Sequence, residues 1–390
     1  MNGMKKFIFF LLIVVIASCK EKYKLPFEQP DTGYLVIEGV INCGQDTTSI
    51  ELSRTNKVNS TQKQYEKGAL VKVEGSDNST AQLVERGTGV YTGQLNLSIS
   101  KQYRLRIKTA AGKEYLSDFV DPKITPVIDS ISWKRESDGG VRLHFNTHDA
   151  QNNTRYYKWD YAETWEIHSE YRSTLEFFTE VTSSKPIITI GYRDSVTYGP
   201  DTLIFKCWTF ANSTNLLIGS SARLSSDIIY ELPFLRIPPG DRKISELYSI
   251  YVQQYALTKE AYEFLEKMKK NTEQNGSIFD AQPSQLKGNI HCVSIPDEPV
   301  IGFISVSTVT KKRLFISKAE VPSWNYDSGC QEEKVLNDAD SIADAKNSGG
   351  IPTNPLVLSP RGAIVYFGVS SPACVDCTTT GTNIKPVFWP

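Results

Sequence analysis

Apolar and polar residues alternate along many short segments of the chain, which is the pattern of half-buried β-strands. The clearest examples are residues 103–108, 141–146 and 157–161, in which every second residue is apolar. Turn-forming sequences such as Gly87-Thr88-Gly89 separate such segments. The pattern predicts a mainly β chain with two β-sandwich domains of the immunoglobulin-like or fibronectin-like kind.

The strand-like segments fall into two groups. Residues 34–122 are predicted to form an N-terminal β-sandwich, and residues 127–320 a second β-domain. Pro122 and Pro126 bracket the linker between them, because proline-containing stretches interrupt strand ladders.

One amphipathic helix is predicted within the second domain, over residues 258–273. Thr258 can cap its first turn, and Asn275-Gly276 is expected to end it. Its apolar stripe consists of Ala261, Phe264, Leu265 and Met268. These residues recur at helical spacing, so the stripe is expected to pack against the β-domains.

The last segment, residues 321–390, is rich in Gly, Pro, Ser and Asp. We expect it to be loop-rich, packed on the second domain and stapled by disulfides. Trp324 and Trp389 are its expected anchors, because large aromatic side chains bury well.

Tyr157, Trp159 and Tyr161 form an aromatic ladder on one face of a predicted strand. Such a ladder can be a sugar-binding platform or part of a sandwich core. Lys158 and Asp160 occupy the opposite face. Charged residues on one face favour the core interpretation for the other face.

The N-terminus has the organisation of an export signal. Lys5 and Lys6 precede an apolar run over residues 7–16, which is too short to span a bilayer. Ile16-Ala17-Ser18-Cys19 then resembles the bacterial lipobox, in which the cysteine carries the lipid.

This motif predicts a lipoprotein signal peptide over residues 1–18, lipidation at Cys19 and a tether over residues 19–33. The expected location is the outer membrane, through a lipid anchor. Lys20-Glu21-Lys22 partly resembles the export signal of surface lipoproteins, which favours the cell surface over the periplasmic face.

Composition and charge narrow the function further. Hydrophobic residues make up 40% of the chain and charged residues 22%, as in ordinary globular proteins. The formal net charge is -1, so the sequence has no basic footprint for nucleic acid. No nucleic-acid partner is expected.

Motifs for chemistry are absent from the sequence. No nucleophile elbow, phosphate loop or dinucleotide fingerprint occurs. His144 and His148 lie on a predicted strand, where four residues span ~13 Å, too far apart for one ion. We therefore expect no enzyme, no catalytic residue, no cofactor and no metal site.

Six cysteines remain beyond Cys19, and they are disulfide candidates because the protein is predicted to be exported. They are Cys43, Cys207, Cys292, Cys330, Cys374 and Cys377. Cys374 and Cys377 form a CxxC, which can bind zinc. A structural zinc site needs four ligands, however, and the sequence has no second CxxC. We favour the pairs Cys330–Cys374 and Cys207–Cys377, since the tail segments are poor in regular structure and would gain most from a covalent link.

Several segments together resemble one family. They are the lipobox at Cys19, Tyr34 to Gly39, Cys207-Trp208, Tyr248 to Tyr255, Ala261 to Phe264, Phe279 to Pro283, Gly288 to Ile290, Val300 to Ile304, Lys312-Arg313, Cys374 to Cys377 and Lys385 to Trp389. This ordered set resembles the Bacteroidetes lipoproteins named domain of unknown function 4249. The resemblance implies a companion of a TonB-dependent outer-membrane transporter and implies no catalytic residue.

Two functions are compatible with the sequence. The first is a non-enzymatic accessory or binding partner of a TonB-dependent transporter in nutrient uptake, held at the membrane by its lipid anchor. The alternative is a surface glycan-binding protein or hydrolase with a site between the two β-domains. A cleft with convergent carboxylates would favour the alternative, and a flat apolar patch would favour a partner interface.

Overall fold

The structure is a computed structural model, and it describes residues 33–56, 62–181, 186–193, 202–273 and 287–390. The predicted signal peptide, Cys19, all of the tether except Gly33, and the helix end at Asn275-Gly276 lie outside these residues. Within the described ranges, no helix has both the length and the apolar character needed to cross a membrane.

The described chain contains twenty-four strands and few helices, as the alternation predicts. The first strands are β1 (Leu35–Asn42), β2 (Thr48–Arg54), β3 (Gln64–Tyr65), β4 (Leu70–Gly75), β5 (Thr80–Glu85), β6 (Val90–Gly93), β7 (Tyr103–Lys108) and β8 (Glu114–Ser117). The next are β9 (Ile128–Arg135), β10 (Val141–Asp149), β11 (Tyr156–His168), β12 (Leu175–Val181), β13 (Pro186–Tyr192), β14 (Lys206–Asn212), β15 (Leu217–Ser220), β16 (Asp227–Ile237) and β17 (Leu247–Ala256). The last are β18 (Ile290–Cys292), β19 (Val300–Gly302), β20 (Ser305–Ser307), β21 (Val309–Ser317), β22 (Glu333–Leu336), β23 (Ile351–Leu358) and β24 (Ile364–Ser370).

The helices are short except for one. They are α1 (Thr202–Phe205), α2 (Lys259–Glu273), α3 (Ala339–Asn347) and α4 (Pro372–Val375). Single 3-10 turns occur at Arg242–Ile244, Lys318–Glu320 and Cys377–Thr379. The predicted amphipathic helix is α2, and the Thr258 hydroxyl accepts a hydrogen bond from the Ala261 amide at 3.2 Å. The predicted cap is therefore confirmed.

The first sandwich is one sheet of eleven strands. Its order is β18-β8-β7-β4-β5-β6-β2-β1-β19, with β20 also paired to β1 and β3 to β2. Inward side chains from distant strands of this order, such as Leu35, Val73 and Ile107, share one core. The alternation at residues 103–108 places every second side chain in that core.

Three strands of this sheet follow helix α2 in the sequence. β19 and β20 pair in parallel with β1, and β18 pairs with β8. Residues 290–307 therefore belong to the first sandwich, whereas the sequence placed them within the second domain at 127–320. Local alternation identifies a strand, but it carries no information about a pairing partner that is distant in the sequence.

The linker is hydrogen-bonded to the returning chain. The Lys123 amide donates to the Val306 carbonyl at 2.9 Å, and the Thr308 amide donates to the Lys123 carbonyl at 3.0 Å. The Thr125 hydroxyl accepts from the Ala256 amide at 2.9 Å. The linker between the sandwiches and the segment that returns to the first sandwich are therefore hydrogen-bonded to each other. These bonds hold the first sandwich against the second.

The second sandwich packs a three-stranded sheet, β16-β10-β9, on a five-stranded sheet, β14-β11-β17-β21 with β15 beside β11. Their facing side chains form one core. Tyr157, Trp159 and Tyr161 lie in it, so the core interpretation of the aromatic ladder is confirmed. The Trp159 indole N–H donates to the buried Gln254 side chain at 2.7 Å.

The C-terminal region contains more regular structure than the loop-rich prediction. β22, β24 and β23 form a sheet, and the β12–β13 hairpin and α3 share its small core around Phe367. Pro352 and Pro355 lie on β23, where the pairing register shifts. Proline and irregular register hide the alternation on which strand prediction depends.

Candidate functional site

A groove lies between the two sandwiches and is divided into two connected compartments. The first, which we call the apolar chamber, has a volume of about 570 Å³. The second, which we call the polar annex, has a volume of about 450 Å³. Gly39, Val40, Lys158 and Asp160 line both compartments. Pockets of this size bind small molecules in many proteins.

Helix α2 forms one wall of the apolar chamber. The Leu257 amide donates to the Tyr156 carbonyl at 2.9 Å, which places the start of the helix beside β11. The predicted stripe of Ala261, Phe264, Leu265 and Met268 lines the chamber. Ala261 and Phe264 are buried, whereas Leu265 and Met268 are half-buried. The first two residues of the stripe are therefore packed against the β-domains, and Leu265 keeps part of its apolar surface exposed in the groove.

Strand β1 forms the facing wall. Val36, Glu38 and Val40 alternate with the core residues Leu35 and Ile37, so their side chains point away from the core and line the chamber.

Two glycines let the strands around this wall approach closely. Gly39 has φ +144°, and a Cβ there would collide with the Ser49 carbonyl. Gly302 has φ +147°, and a Cβ there would collide with the Ile37 carbonyl. Any larger residue at either position would push the chamber wall apart.

The polar annex lies over the outer face of β11, β17 and β21. Lys158 bonds Asp160 at 2.8 Å, and its ammonium group lies 5.2 Å from the centre of the Tyr255 ring. Burial, followed by the nearby Asp160 carboxylate, raises the pKa of the Tyr255 phenol. Tyr255 is therefore a neutral phenol at every physiological pH.

The carboxylates of the groove all have lysine partners. The pairs are Glu38 with Lys63, Asp46 with Lys311 and Asp160 with Lys158. A glycosidase needs a protonated carboxylic acid facing a second carboxylate across the substrate. Each carboxylate of this groove is instead held in an ion pair with a lysine.

Asn42 is a buried polar residue of the annex with an unused donor. It lies on the groove side of β1, because it is two residues beyond Val40, and it is 2% exposed. Its Oδ1 accepts from the Gly44 amide at 2.7 Å. Its Nδ2 has no hydrogen-bond partner among the described residues. A buried donor without an acceptor costs free energy, so an acceptor brought within reach of this amide would stabilise the site.

A second polar cluster lies on the same outer sheet face and holds the end of the chain. Glu166 bonds His168 and Lys206, each at 2.8 Å. The Trp389 indole N–H donates to its other oxygen at 3.0 Å. Burial favours the neutral acid, but the bonds from His168 and Lys206 outweigh it and lower the pKa of Glu166 to about 2.

This cluster confirms Trp389 as an anchor of the C-terminal segment. Trp389 is buried and packs edge-on against Trp208 and Phe315. Trp324, the other predicted anchor, is also buried, and its indole N–H donates to the Asp241 carbonyl at 2.9 Å. Both tryptophans satisfy their one donor inside the protein.

The disulfides follow the predicted pairs. Cys207 is bonded to Cys377, and Cys330 is bonded to Cys374, with Cα–Cα distances of 5.7 Å in both. The remaining two candidates were predicted wrongly, because Cys43 and Cys292 are free and buried. Cys43 lies beside Ser307 at the end of β1, and Cys292 pairs with Tyr115 on β8. The sheet holds the two thiols on separate strand pairs.

The thiol of Cys43 is expected to resist alkylation in the folded protein. Burial raises its pKa to about 11, so both the thiolate fraction and the access of a reagent are small. Iodoacetamide labelling at pH 8, read by mass spectrometry of the peptide that contains Cys43, should be slow without denaturant and complete in urea. Rapid labelling of the folded protein would contradict the buried position of this thiol.

His144 and His148 lie four residues apart on β10. His148 bonds Asp129 at 2.8 Å on the exposed face of the β10–β9 pair. Among the described residues, His144 makes no hydrogen bond with His148 or Asp129, and it pairs with Ser132 in the strand register. In the part of the chain that the structure describes, no three metal-ligating side chains come together.

Comparison with known proteins places the chain in a family. The model described as "Domain of unknown function (DUF4249)" matches residues 20–313. The chain belongs to the DUF4249 family. All residues that line the groove fall within the matched part, whereas the three-stranded C-terminal sheet lies beyond it.

Other comparisons add little to the DUF4249 assignment. No curated protein matches the chain. Among solved structures, the chitinase ChiA74 from Bacillus thuringiensis aligns with 54% of this chain and 30% of its own, at 13% identity and a TM-score of 0.15. The match covers less than a third of the chitinase, and a similarity this low supports no conclusion about fold or activity.

Sequence reasoning missed most of the groove in this DUF4249 chain. Lys158 and Asp160 were identified only as the polar face of a strand, and Asn42 was not singled out. The available signal was the alternation itself, because it places Lys158, Asp160 and Val40 on outward faces. The sequence does not show that two outward faces meet each other.

Proposed function

We propose that this DUF4249 protein is an outer-membrane lipoprotein, exposed at the cell surface, that acts as a non-enzymatic accessory of a TonB-dependent transporter in nutrient uptake. The groove between the sandwiches is its binding surface. The observation that carries the binding role is the pairing of every groove carboxylate with a lysine, beside a half-buried apolar stripe. Family membership and the lipobox at Cys19 support the membrane setting.

The proposed anchor makes a weak interface sufficient. A lipid on Cys19 confines the protein to the membrane plane beside its partner, which raises the effective concentration of one for the other. The proline-containing tether over residues 19–33 gives the sandwiches reach above the membrane.

Copurification tests the accessory role. A C-terminally tagged protein, extracted from membranes in a mild detergent, is expected to bring one large β-barrel protein with it. Deleting the gene should impair growth on one nutrient. Isolation of the wild-type lipoprotein alone, together with unimpaired growth of the deletion strain, would contradict the role.

A Cys19→Ala variant tests the anchor separately. It is expected to remain an uncleaved precursor or to leave the membrane fraction, because no thiol is present to carry the lipid. The intact mass of the wild-type mature protein should show acyl chains on residue 19. An unmodified N-terminus at another residue would disprove lipidation at this cysteine.

A surface glycan-binding protein or hydrolase is the second candidate, and the position of the groove between the two β-domains favours it. Tyr255, Asp160 and Gln253 give the annex an aromatic ring with adjacent hydrogen-bonding groups, which is common in sugar sites. Turnover of a polysaccharide or peptide by the purified monomer would establish the hydrolase. Binding of a glycan without turnover would establish the glycan-binding protein, and the absence of both binding and turnover would leave the accessory role as the better description.

A further inference from the structure

The two compartments of the groove have opposite chemistry, although they share four residues. The apolar chamber is walled by the α2 stripe and by the outward face of β1. The polar annex is walled by paired charges, hydroxyls and amides. A ligand that fills both compartments must therefore be apolar at one end and polar at the other.

The chamber is suited to an apolar group because part of its lining is exposed. Leu216, Leu265 and Phe303 line it and are half-buried. Phe303 also packs against Phe264 at a ring-centre distance of 5.6 Å, which holds the wall in place. Apolar surface that is open to water gains free energy when an apolar ligand covers it.

The annex is suited to an uncharged head group. Its two lysines, Lys158 and Lys311, bond its two carboxylates, Asp160 and Asp46. Neither sign of charge is left in excess, so an ionic head group would have to break an existing pair. An uncharged group that carries hydrogen-bond acceptors meets no such cost.

Asn42 points independently to an acceptor on the ligand. Its Nδ2 is buried on the groove side of β1 and has no partner among the described residues. The hydroxyl of Ser307, opposite Asn42 in the β1–β20 register, is likewise buried and without a described partner. An acceptor placed in the annex beside Asn42 would satisfy that donor.

We propose that the groove binds an uncharged amphiphile, with its apolar chain in the apolar chamber and a hydroxyl-rich head group in the polar annex. This proposal rests on the proposed function, because it names the class of ligand that the accessory lipoprotein handles. Asn42 recognises the head group, and the α2 stripe recognises the chain.

Calorimetric titration of the purified protein tests the proposal directly. The probe is n-octyl β-D-glucoside below its micellar concentration, with glucose as the head group alone and octyl sulfate as the same chain on an anion. Octyl glucoside is expected to bind at least tenfold more tightly than either control, because only it satisfies both compartments.

Variants separate the two compartments. Leu265→Gln makes the chamber polar at a position that tolerates glutamine in a helix, and it should weaken octyl glucoside binding about tenfold. Lys267→Gln, on the exposed face of the same helix, is the matched control and should bind as the wild type does. Asn42→Asp keeps the acceptor for Gly44 and removes the donor, and it should also weaken binding about tenfold.

Three results would overturn the proposal: equal binding of glucose and octyl glucoside, tighter binding of octyl sulfate, or wild-type affinity in Leu265→Gln with normal circular dichroism. Unchanged affinity in Asn42→Asp would remove Asn42 from the head-group site. The copurification experiment does not depend on the amphiphile. A protein that brings a β-barrel with it but binds no octyl glucoside would therefore refute the ligand class alone.

Discussion

Serine replacement of both Cys207 and Cys377 is expected to lower the free energy of unfolding by about 2–5 kcal/mol. The bond joins residues 170 positions apart, so its loss releases a long loop in the unfolded chain. The same bond fastens the tail to β14, next to the mutual hydrogen bonds of Trp208 and Thr382. Guanidinium unfolding without reductant measures the change.

The second disulfide provides the matched comparison. Cys330 and Cys374 are 44 positions apart, and their double serine variant is expected to lose less stability because the released loop is shorter. Hydrogen exchange at residues 377–389 should increase in the Cys207/Cys377 variant and remain slow in the other. Equal unfolding midpoints for the wild type and the Cys207/Cys377 variant would show that this disulfide contributes nothing to global stability.

Local alternation accounts for much of the fold. At residues 103–108 and 141–146, it correctly separates core from surface side chains, because successive side chains on a strand point to opposite faces. The same rule places Trp159 in a core. The cap at Thr258 was predictable for a similar reason, since capping involves only neighbours in sequence.

Long-range partnership was not predictable from these patterns. β18 pairs with β8, and β19 and β20 pair with β1, so residues 290–307 belong to the first sandwich and not to the predicted second domain. The groove depends on this same return, because Gly302 and Phe303 line its chamber. A single sequence shows that α2 has an apolar stripe but not how much of the stripe its neighbours cover.

The cysteine pairing was also predictable only in part. Three of the four bonded cysteines, Cys330, Cys374 and Cys377, lie in the C-terminal segment, and both predicted bonds are confirmed. An even number of cysteines in an exported chain also suggested a bond for Cys43 and Cys292. Both instead behave as small apolar residues of the first core, and counting cannot distinguish a core thiol from a bonded one.

Acid is expected to destabilise the protein through Glu166. Its pKa is lowered from 4.5 to about 2 in the folded protein, so its contribution is complete above pH 5 and is lost as the pH falls toward 2. The shift corresponds to about 3 kcal/mol, and the side chain is only 9% exposed, so solvent screens it little. Urea unfolding at pH 6 and pH 3 measures the loss.

Glu166→Gln tests the assignment, because glutamine can still accept the Trp389 indole N–H but cannot ionise. This variant is expected to be less stable than the wild type at pH 6 and to lose less stability between pH 6 and pH 3. Glu246→Gln is the control, since Glu246 contacts His168 at 3.5 Å and is more exposed than Glu166. It should keep most of the wild-type acid sensitivity. If Glu166→Gln and the wild type lose the same free energy between the two pH values, the acid sensitivity arises elsewhere, and the cluster at Glu166 holds the tail through packing of Trp389 alone.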